Sequence, residues 1–381
     1  MANTISAILP ILQDVATRVP RESAGFANAC YKNASAARAG KGQVVNYPIV
    51  PTLSAASVTP AATSSAGTDI TQTAGSITMD TLEKVSWNWT GEEARALNNG
   101  DIAPYQDIVE QTLAQAIRTL TNRIENSLWL AAYKASSRAY GTAGTAPFAT
   151  ASDFSDFAGV ARILDENGCP DTNRKLVLGH AAVNNLRAKQ SSLFRVNEAG
   201  SAEFLRTGSL GSVMGFDLFK SHPISAHTKG SGASYLINLA SPAVGTTTIP
   251  ADTGSGTVLA GDIVTFAGTT TKYVVNSALS GGSFAIGKPG LTTAETDNDA
   301  ITVGNDYTPN VAFEQMALHL VMRQPDDGMD GAADVATVTD PNTGLVFQLA
   351  RYAQYMQSSW ELRVLYGVKA VQSEFIATLI G

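Results

Sequence analysis

The chain has 381 residues, 15% of them charged, and a formal net charge of −7. That length allows two or three domains with a sizeable core, and the acidic balance excludes a chain that wraps nucleic acid through general basicity. Low charge with abundant Gly, Ala, Ser and Thr suits extended β structure and large protein–protein surfaces better than a freely soluble monomer.

In chain order, residues 1–42 carry a short apolar run and then small and polar residues. They read as an arm that orders along a neighbour, not as a core element. The opening TISAILPILQDVA, interrupted by Pro10 and Gln13, reads as neither a secretory signal nor a membrane span. Cys30 and Cys169 lie far apart and match no metal spacing, which predicts reduced thiols of a protein made in a cytoplasm.

Residues 43–97 read as a long two-stranded ribbon. Val45, Tyr47 and Ile49 alternate with Val44, Asn46 and Pro48 in the first strand, and Ile77, Met79, Val85, Trp87 and Trp89 alternate with polar residues in the second. The tip between them has almost no large side chains, and two strands alone are marginal in water. The ribbon is therefore either a mobile surface loop or an extension that gains its packing from another subunit. The two tryptophans favour the extension, with Tyr47, Ile77, Met79, Trp87 and Trp89 as candidate subunit-interface residues.

The longest helical pattern spans 104–139. Val109, Leu113, Ala116, Ile117, Leu120, Ile124, Leu128 and Ala131 form one apolar stripe, with Leu113, Ile117, Leu120, Ile124 and Leu128 as its core. Gln111, Gln115, Arg118, Asn122 and Glu125 fall on the wet face. Pro104 suits the first helical position, Asp107 the first turn, and Gly141 and Gly144 the far end. A strut of that length with one apolar stripe must lie along a sheet or another helix, and with no comparable second helix in the sequence the β-rich remainder is the expected partner.

Residues 151–225 switch to a mixed pattern: helices at 154–166 and 181–190, and strands at 175–178 and 215–220. Residues 226–307 lose helical periodicity, and short strands at 235–239, 262–266, 272–275, 284–286 and 300–303 predict a small inserted barrel or sandwich. Helix-compatible sequence resumes at 310–322. Residues 344–380 read as strands, with Trp360, Leu362, Val364, Tyr366 and Val368 alternating, and form the natural sheet for the long helix.

No catalytic constellation is legible, and no phosphate cradle, dinucleotide fingerprint or nucleophile elbow is present. Neither catalytic residues nor a cofactor is expected. His222 and His227 could share a metal, but no Cys, Asp or Glu stands beside them at ligand spacing, so two loop histidines are the better reading. The acidic run 326–331 mimics the start of a calcium loop, but Thr337 stands where the bidentate carboxylate belongs. Glu295, Asp297 and Asp299 lack the sharp-turn glycine, so both clusters read as solvated loops. The aromatic residues read as packing groups and not as a carbohydrate or single-strand platform.

The order arm, ribbon, long helix, α/β domain with β insertion, and returning strands resembles the HK97-like major capsid protein of tailed phages. Gly261-Asp262-Ile263-Val264-Thr265-Phe266-Ala267-Gly268 resembles a hairpin of the inserted domain in P-twenty-two-type coat proteins of short-tailed phages. The stretches 309–313, 318–325 and 361–368 resemble that family's re-entry and C-terminal strands.

The resemblance implies an α+β fold with an N-terminal arm (1–42), an E-loop (43–97), a peripheral domain (98–150 and 344–381), an axial domain (151–227 and 308–343) and an inserted β domain (228–307). It implies a non-enzymatic subunit that assembles as hexamers and pentamers of an icosahedral shell in the bacterial cytoplasm and resides in the virion. Scaffolding protein and portal are the expected partners. The packaged double-stranded DNA is enclosed without sequence-specific contact, and no membrane is involved. The competing reading is a phage tail or surface-display protein with a β adhesin module; the repeats or coiled coil usual in such proteins are not seen in the sequence.

Overall fold

The computed structural model describes residues 22–49, 55, 57, 70, 73–93, 105–190, 211–326 and 334–381. Its longest element is the helix Tyr105–Lys134, 30 residues and so about 45 Å long. Leu113, Ile117, Leu120, Ile124 and Leu128 are each at most 1% exposed and share one core with Leu320, Leu349, Leu362, Val364 and Tyr366. Those partners belong to a six-stranded sheet ordered Tyr31–Ala39, Leu318–Pro325, Gln357–Ala370, Val346–Gln354, Asp334–Thr339, with Thr81–Thr90 paired to the other side of Gln357–Ala370.

The helix stops earlier than its pattern suggests. Ser136 and Ser137 are fully buried, and the Ser137 amide and hydroxyl both donate to the Ile376 carbonyl, at 2.9 and 2.8 Å. Arg138–Gly141 is then a strand, parallel to Ile376–Ile380. Pro104 lies outside the described residues.

A second, twelve-stranded sheet contains the order Arg138–Gly141, Ile376–Ile380, Pro309–Glu314, Arg174–Leu178, Phe216–Lys220, Ser212–Val213. Helices Ser155–Glu166 and His180–Lys189 cover one face through Phe157, Val160, Leu164, Ala182, Val183 and Leu186. The long helix and Phe26 pack on the other, against Val177, Val311 and Phe313.

Residues 310–322, expected to be helical, are two strands, Pro309–Glu314 and Leu318–Pro325, joined by a short 3₁₀ turn. Every residue of Pro309–Glu314 is buried. A central strand covered on both faces is a continuous apolar run, which periodicity cannot separate from a buried helix.

The twelve-stranded sheet continues from Arg138–Gly141 into Lys272–Ser280, where six antiparallel strands close a barrel. Around the ring these are Lys272–Ser280, Ser283–Ile286, Thr248–Asp252, Tyr235–Ile237, Ala300–Val303 and Ile263–Phe266, which pairs back with Lys272–Ser280. Val264, Tyr273 and Val275 fill the interior without exposure. Thr248–Asp252 is the barrel strand with no reading in the sequence; it is short and interrupted by Pro250.

The ribbon is split. Val44–Ile49 pairs with Thr73–Thr78 as a two-stranded sheet, but Thr81–Thr90 leaves it to join the six-stranded sheet, with Trp87 opposite Trp360. The chain crosses over Gly367 at that switch: a β-carbon on Gly367 would stand 2.3 Å from the Thr78 carbonyl oxygen and 3.2 Å from the Met79 α-carbon. Both obstacles are backbone. Gly367→Ala is accordingly expected to lower the melting temperature of the full chain by several degrees, as overpacking costs about 1–3 kcal/mol; an unchanged melt would show that the crossing yields freely.

Residues 25–30, read as part of an arm, are a core element, and Tyr31–Ala39 is an edge strand of the six-stranded sheet. Phe26, Ala27, Ala29 and Cys30 are fully buried, and Tyr31–Ala39 pairs in parallel with Leu318–Pro325.

Candidate assembly surface

The base of the ribbon is fixed from its own strands. Ile77 and Met79 are each 2% exposed and pack with Ala39, Val321 and Leu365. They are thus already covered within the subunit before any second copy arrives. Across the strand pair, the Tyr47 ring lies over Gly75, where a β-carbon would come within 2.1 Å of it. Lys369 donates to the Ser76 carbonyl at 2.8 Å, with its ammonium 6.0 Å from the Tyr47 ring centre.

Beside the ribbon runs a groove of about 380 Å³ whose lining includes Tyr31, Tyr47, Met316, His319 and Val371. His319 sits between Tyr31 and Tyr47, ring centres 4.7 and 5.8 Å away. Burial holds its imidazole below the usual range. Met316 and Tyr31 are exposed, so the groove offers apolar surface to an incoming chain.

Along Thr81–Thr90 the burial alternates. Val85, Trp87 and Trp89 lean half-buried onto the long-helix core, while Leu82 on the outer face is 45% exposed. The strand is hydrogen-bonded on one side only among the described residues. Such an edge is a template for another chain. At the far tip of the neighbouring hairpin, Tyr355 and Met356 are 91% and 66% exposed.

The wet face of the long helix has a second role that its sequence pattern hides. Glu125 is 1% exposed; its carboxylate accepts from the amides of Phe26 and Ala27 at 3.1 and 2.5 Å and from the Ser221 hydroxyl at 2.6 Å. Burial pushes its carboxyl up, against the pull of those donors. One and two turns earlier, Asn122 and Arg118 grip Glu22, and Arg118 above all holds the Glu22 carboxyl down at about 2. Arg118, Asn122 and Glu125 thus clamp residues 22–27 onto the helix. The only sequence signal was an acidic residue one step off the apolar stripe.

The candidate chemistry resolves into structural roles. His227 is buried, with Nε2 2.9 Å from Asp262 Oδ1 and Nδ1 3.2 Å from the Tyr133 hydroxyl. Asp262 also accepts from the amides of Gly230 and Leu259, and the Tyr307 hydroxyl donates to the Gly261 carbonyl at 2.6 Å. Burial pushes the Tyr133 phenol up to about 12. Phenol, imidazole and carboxylate here staple the mouth of the barrel to the end of the long helix. His222 is instead exposed beside His180.

Cys30 and Cys169 are free and buried. Glu295 is buried and accepts from the Thr293 hydroxyl, and Asp299 caps Thr296. Among the described residues no group of three or more His, Cys, Asp or Glu could hold a metal, and no helix is long and apolar enough to cross a membrane. The acidic run lies outside the described residues from 327 onward.

No protein-family model matches this sequence, and comparison with curated proteins finds no match. Solved structures do match. The capsid structure of the cyanophage P-SCSP1u is 13% identical over 95% of this chain and 89% of its own, with a TM-score of 0.52. The mature capsid of bacteriophage PhiM1 is 12% identical over 93% and 86%, TM-score 0.46. A structure from Mycobacterium phage Che8 is 14% identical over 89% and 85%, TM-score 0.44. The β-rich mixed α/β fold of this chain is that of a phage capsid structure along nearly its whole length.

Proposed function

We propose that this chain is a major capsid protein that self-assembles into the icosahedral shell enclosing phage double-stranded DNA. The observation that carries this reading is the fold match to the cyanophage capsid, spanning 95% of this chain and 89% of that one. The surface agrees with it: an edge strand paired on one side only among the described residues, an apolar groove beside the base of the ribbon, and exposed Tyr355 and Met356 are features a subunit covers by assembling.

Within this reading the fold is HK97-like and the family the P-twenty-two type of coat protein. The ribbon 43–97 is the E-loop, residues 98–150 with 344–381 the peripheral domain, residues 151–227 with 308–343 the axial domain, and the barrel 228–307 the inserted domain. Of the five interface candidates Tyr47, Ile77, Met79, Trp87 and Trp89, Tyr47 lines the open groove, Trp87 and Trp89 are half covered by the long-helix core, and Ile77 and Met79 are buried within the subunit. Rigid layers joined by an adaptable ribbon suit one chain to hexamer and pentamer surroundings, and many weak contacts add up over a closed shell. Scaffolding protein and portal are the partners such assembly calls for, and the −7 charge suits an inner wall that need not grip DNA.

Expression of the full chain, alone and with the scaffolding gene of its own phage, followed by negative-stain microscopy tests this. Closed shells are expected. Discrete trimers or monomers under both conditions would favour a tail or display protein instead.

The barrel gives a separate check. Its ends meet in a two-way backbone pair, the His227 amide on the Tyr307 carbonyl at 2.7 Å and the reverse at 3.3 Å, and it has its own core. A fragment 226–308 is expected to show a β-type circular dichroism spectrum and a cooperative melt; a non-cooperative trace would mean that the rest of the subunit holds it closed.

A further inference from the structure

Arg174–Leu178 and Phe216–Lys220 are adjacent parallel strands in register, with Leu178 opposite Lys220. Continued two residues past both C-terminal ends, that register sets His180 opposite His222. The two rings do meet there, at the surface. His180 Nε2 is 3.4 Å from His222 Nδ1, with ring centres 5.7 Å apart and planes inclined at 56°.

That separation is long for a direct hydrogen bond. It is the separation a shared metal requires: with metal–nitrogen bonds of about 2.0–2.1 Å, tetrahedral geometry puts two imidazole nitrogens about 3.3–3.4 Å apart.

Both histidines stand on fixed backbone. The Gly179 amide donates to buried Asn310 Oδ1 at 2.7 Å, and the Val183 amide to the Gly179 carbonyl at 3.1 Å. On the other strand, Ser221 is fully buried, with its hydroxyl on Glu125, its amide on the Leu178 carbonyl and the next amide, of His222, on the Ser23 carbonyl. A chelate needs this, because two ligands held in place bind as one event.

We propose that His180 Nε2 and His222 Nδ1 form a two-imidazole chelate for a divalent transition-metal ion of the zinc type, with the remaining coordination positions open to water. Imidazole ligands with open positions suit zinc, nickel and copper over magnesium or calcium, which take oxygen donors. Each ring then carries its proton on the nitrogen turned away from the metal.

Equilibrium dialysis of the full chain against Zn²⁺ at pH 7.5 tests the proposal, beside His180→Ala, His222→Ala and the double variant. The wild-type chain should bind one Zn²⁺ that each single variant loses by at least about tenfold in affinity, the double variant adding little. Lowering the pH to 5 should weaken binding, since protons compete with the metal for the imidazole nitrogens. Absence of Zn²⁺ on the wild-type chain, or single variants within twofold of it, overturns the site. Should a variant melt early, electron paramagnetic resonance of Cu²⁺ on the wild-type chain decides: two coordinated imidazole nitrogens support the chelate, and one or none overturns it.

Discussion

A chain carrying Leu120→Asp is expected to accumulate as insoluble protein. Leu120 is 1% exposed, midway along the helix Tyr105–Lys134, in the core shared with the six-stranded sheet. A carboxylate there has no cation or donor to replace its hydration, and even after it takes up a proton the buried acid costs several kcal/mol. That rivals the entire stability of an ordinary domain, about 5–15 kcal/mol. Leu120→Ala, which creates a cavity without burying charge, should cost about 2–5 kcal/mol and leave soluble, less stable subunit. Gln115→Asp, on the exposed side of the same helix, should be close to neutral. The soluble fraction after expression and the urea midpoint of the soluble variants rank the three. Leu120→Asp subunit that is soluble and melts like wild type would show that the helix does not pack on the sheet as described.

The second large effect is expected at Glu125. Its carboxylate is the acceptor for two buried amides and a buried hydroxyl. Glu125→Ala strands all three, at about 1–3 kcal/mol for each buried donor left unmade, offset in part because the variant no longer buries a charge. A net loss of several kcal/mol follows, together with release of residues 22–27 from the helix, readable as faster hydrogen exchange at the Phe26 and Ala27 amides.

Glu125→Gln separates charge from shape through its pH dependence. Burial raises the Glu125 carboxyl, so between the unfolded and folded pKa the folded chain holds the extra proton. Stability therefore falls as pH rises from the ordinary 4.5 up through the folded value. The glutamine variant should lack that slope. Glu22 acts in the opposite direction: held at about 2 by Arg118 and Asn122, it stabilises the fold above 4.5 and loses that contribution as pH falls toward 2. Urea midpoints across pH 3–8 distinguish the two, and a Glu125→Gln profile parallel to wild type would show that the buried carboxyl does not titrate in that window.

Local pattern carried the parts of this fold whose two faces differ. The long helix shows its stripe because one side meets a sheet and the other meets water and a polar clamp, and Leu113 to Leu128 fall where period predicts. Five of the six barrel strands are legible because each has an inside and an outside; Thr248–Asp252, interrupted by Pro250, is the exception. Where both faces are covered the signal vanishes, as in Pro309–Glu314, whose residues are all buried. The split of the ribbon depends on Gly367, nearly 290 residues beyond Thr78 in the chain, and no window around residue 78 contains it.

Local pattern was enough for the core of the long helix and for most of the short strands, since propensity, turn chemistry and hydrophobic period act over a few residues. Long-range contact alone set residues 25–30 into the core, made Glu125 and not the apolar stripe alone their anchor, and brought His180 to His222 while His227 turns to Asp262. Each of these joins groups between 35 and about 290 residues apart in the chain. Their pairing follows from strand register and the closing of two sheets around one helix, which no local window of sequence contains.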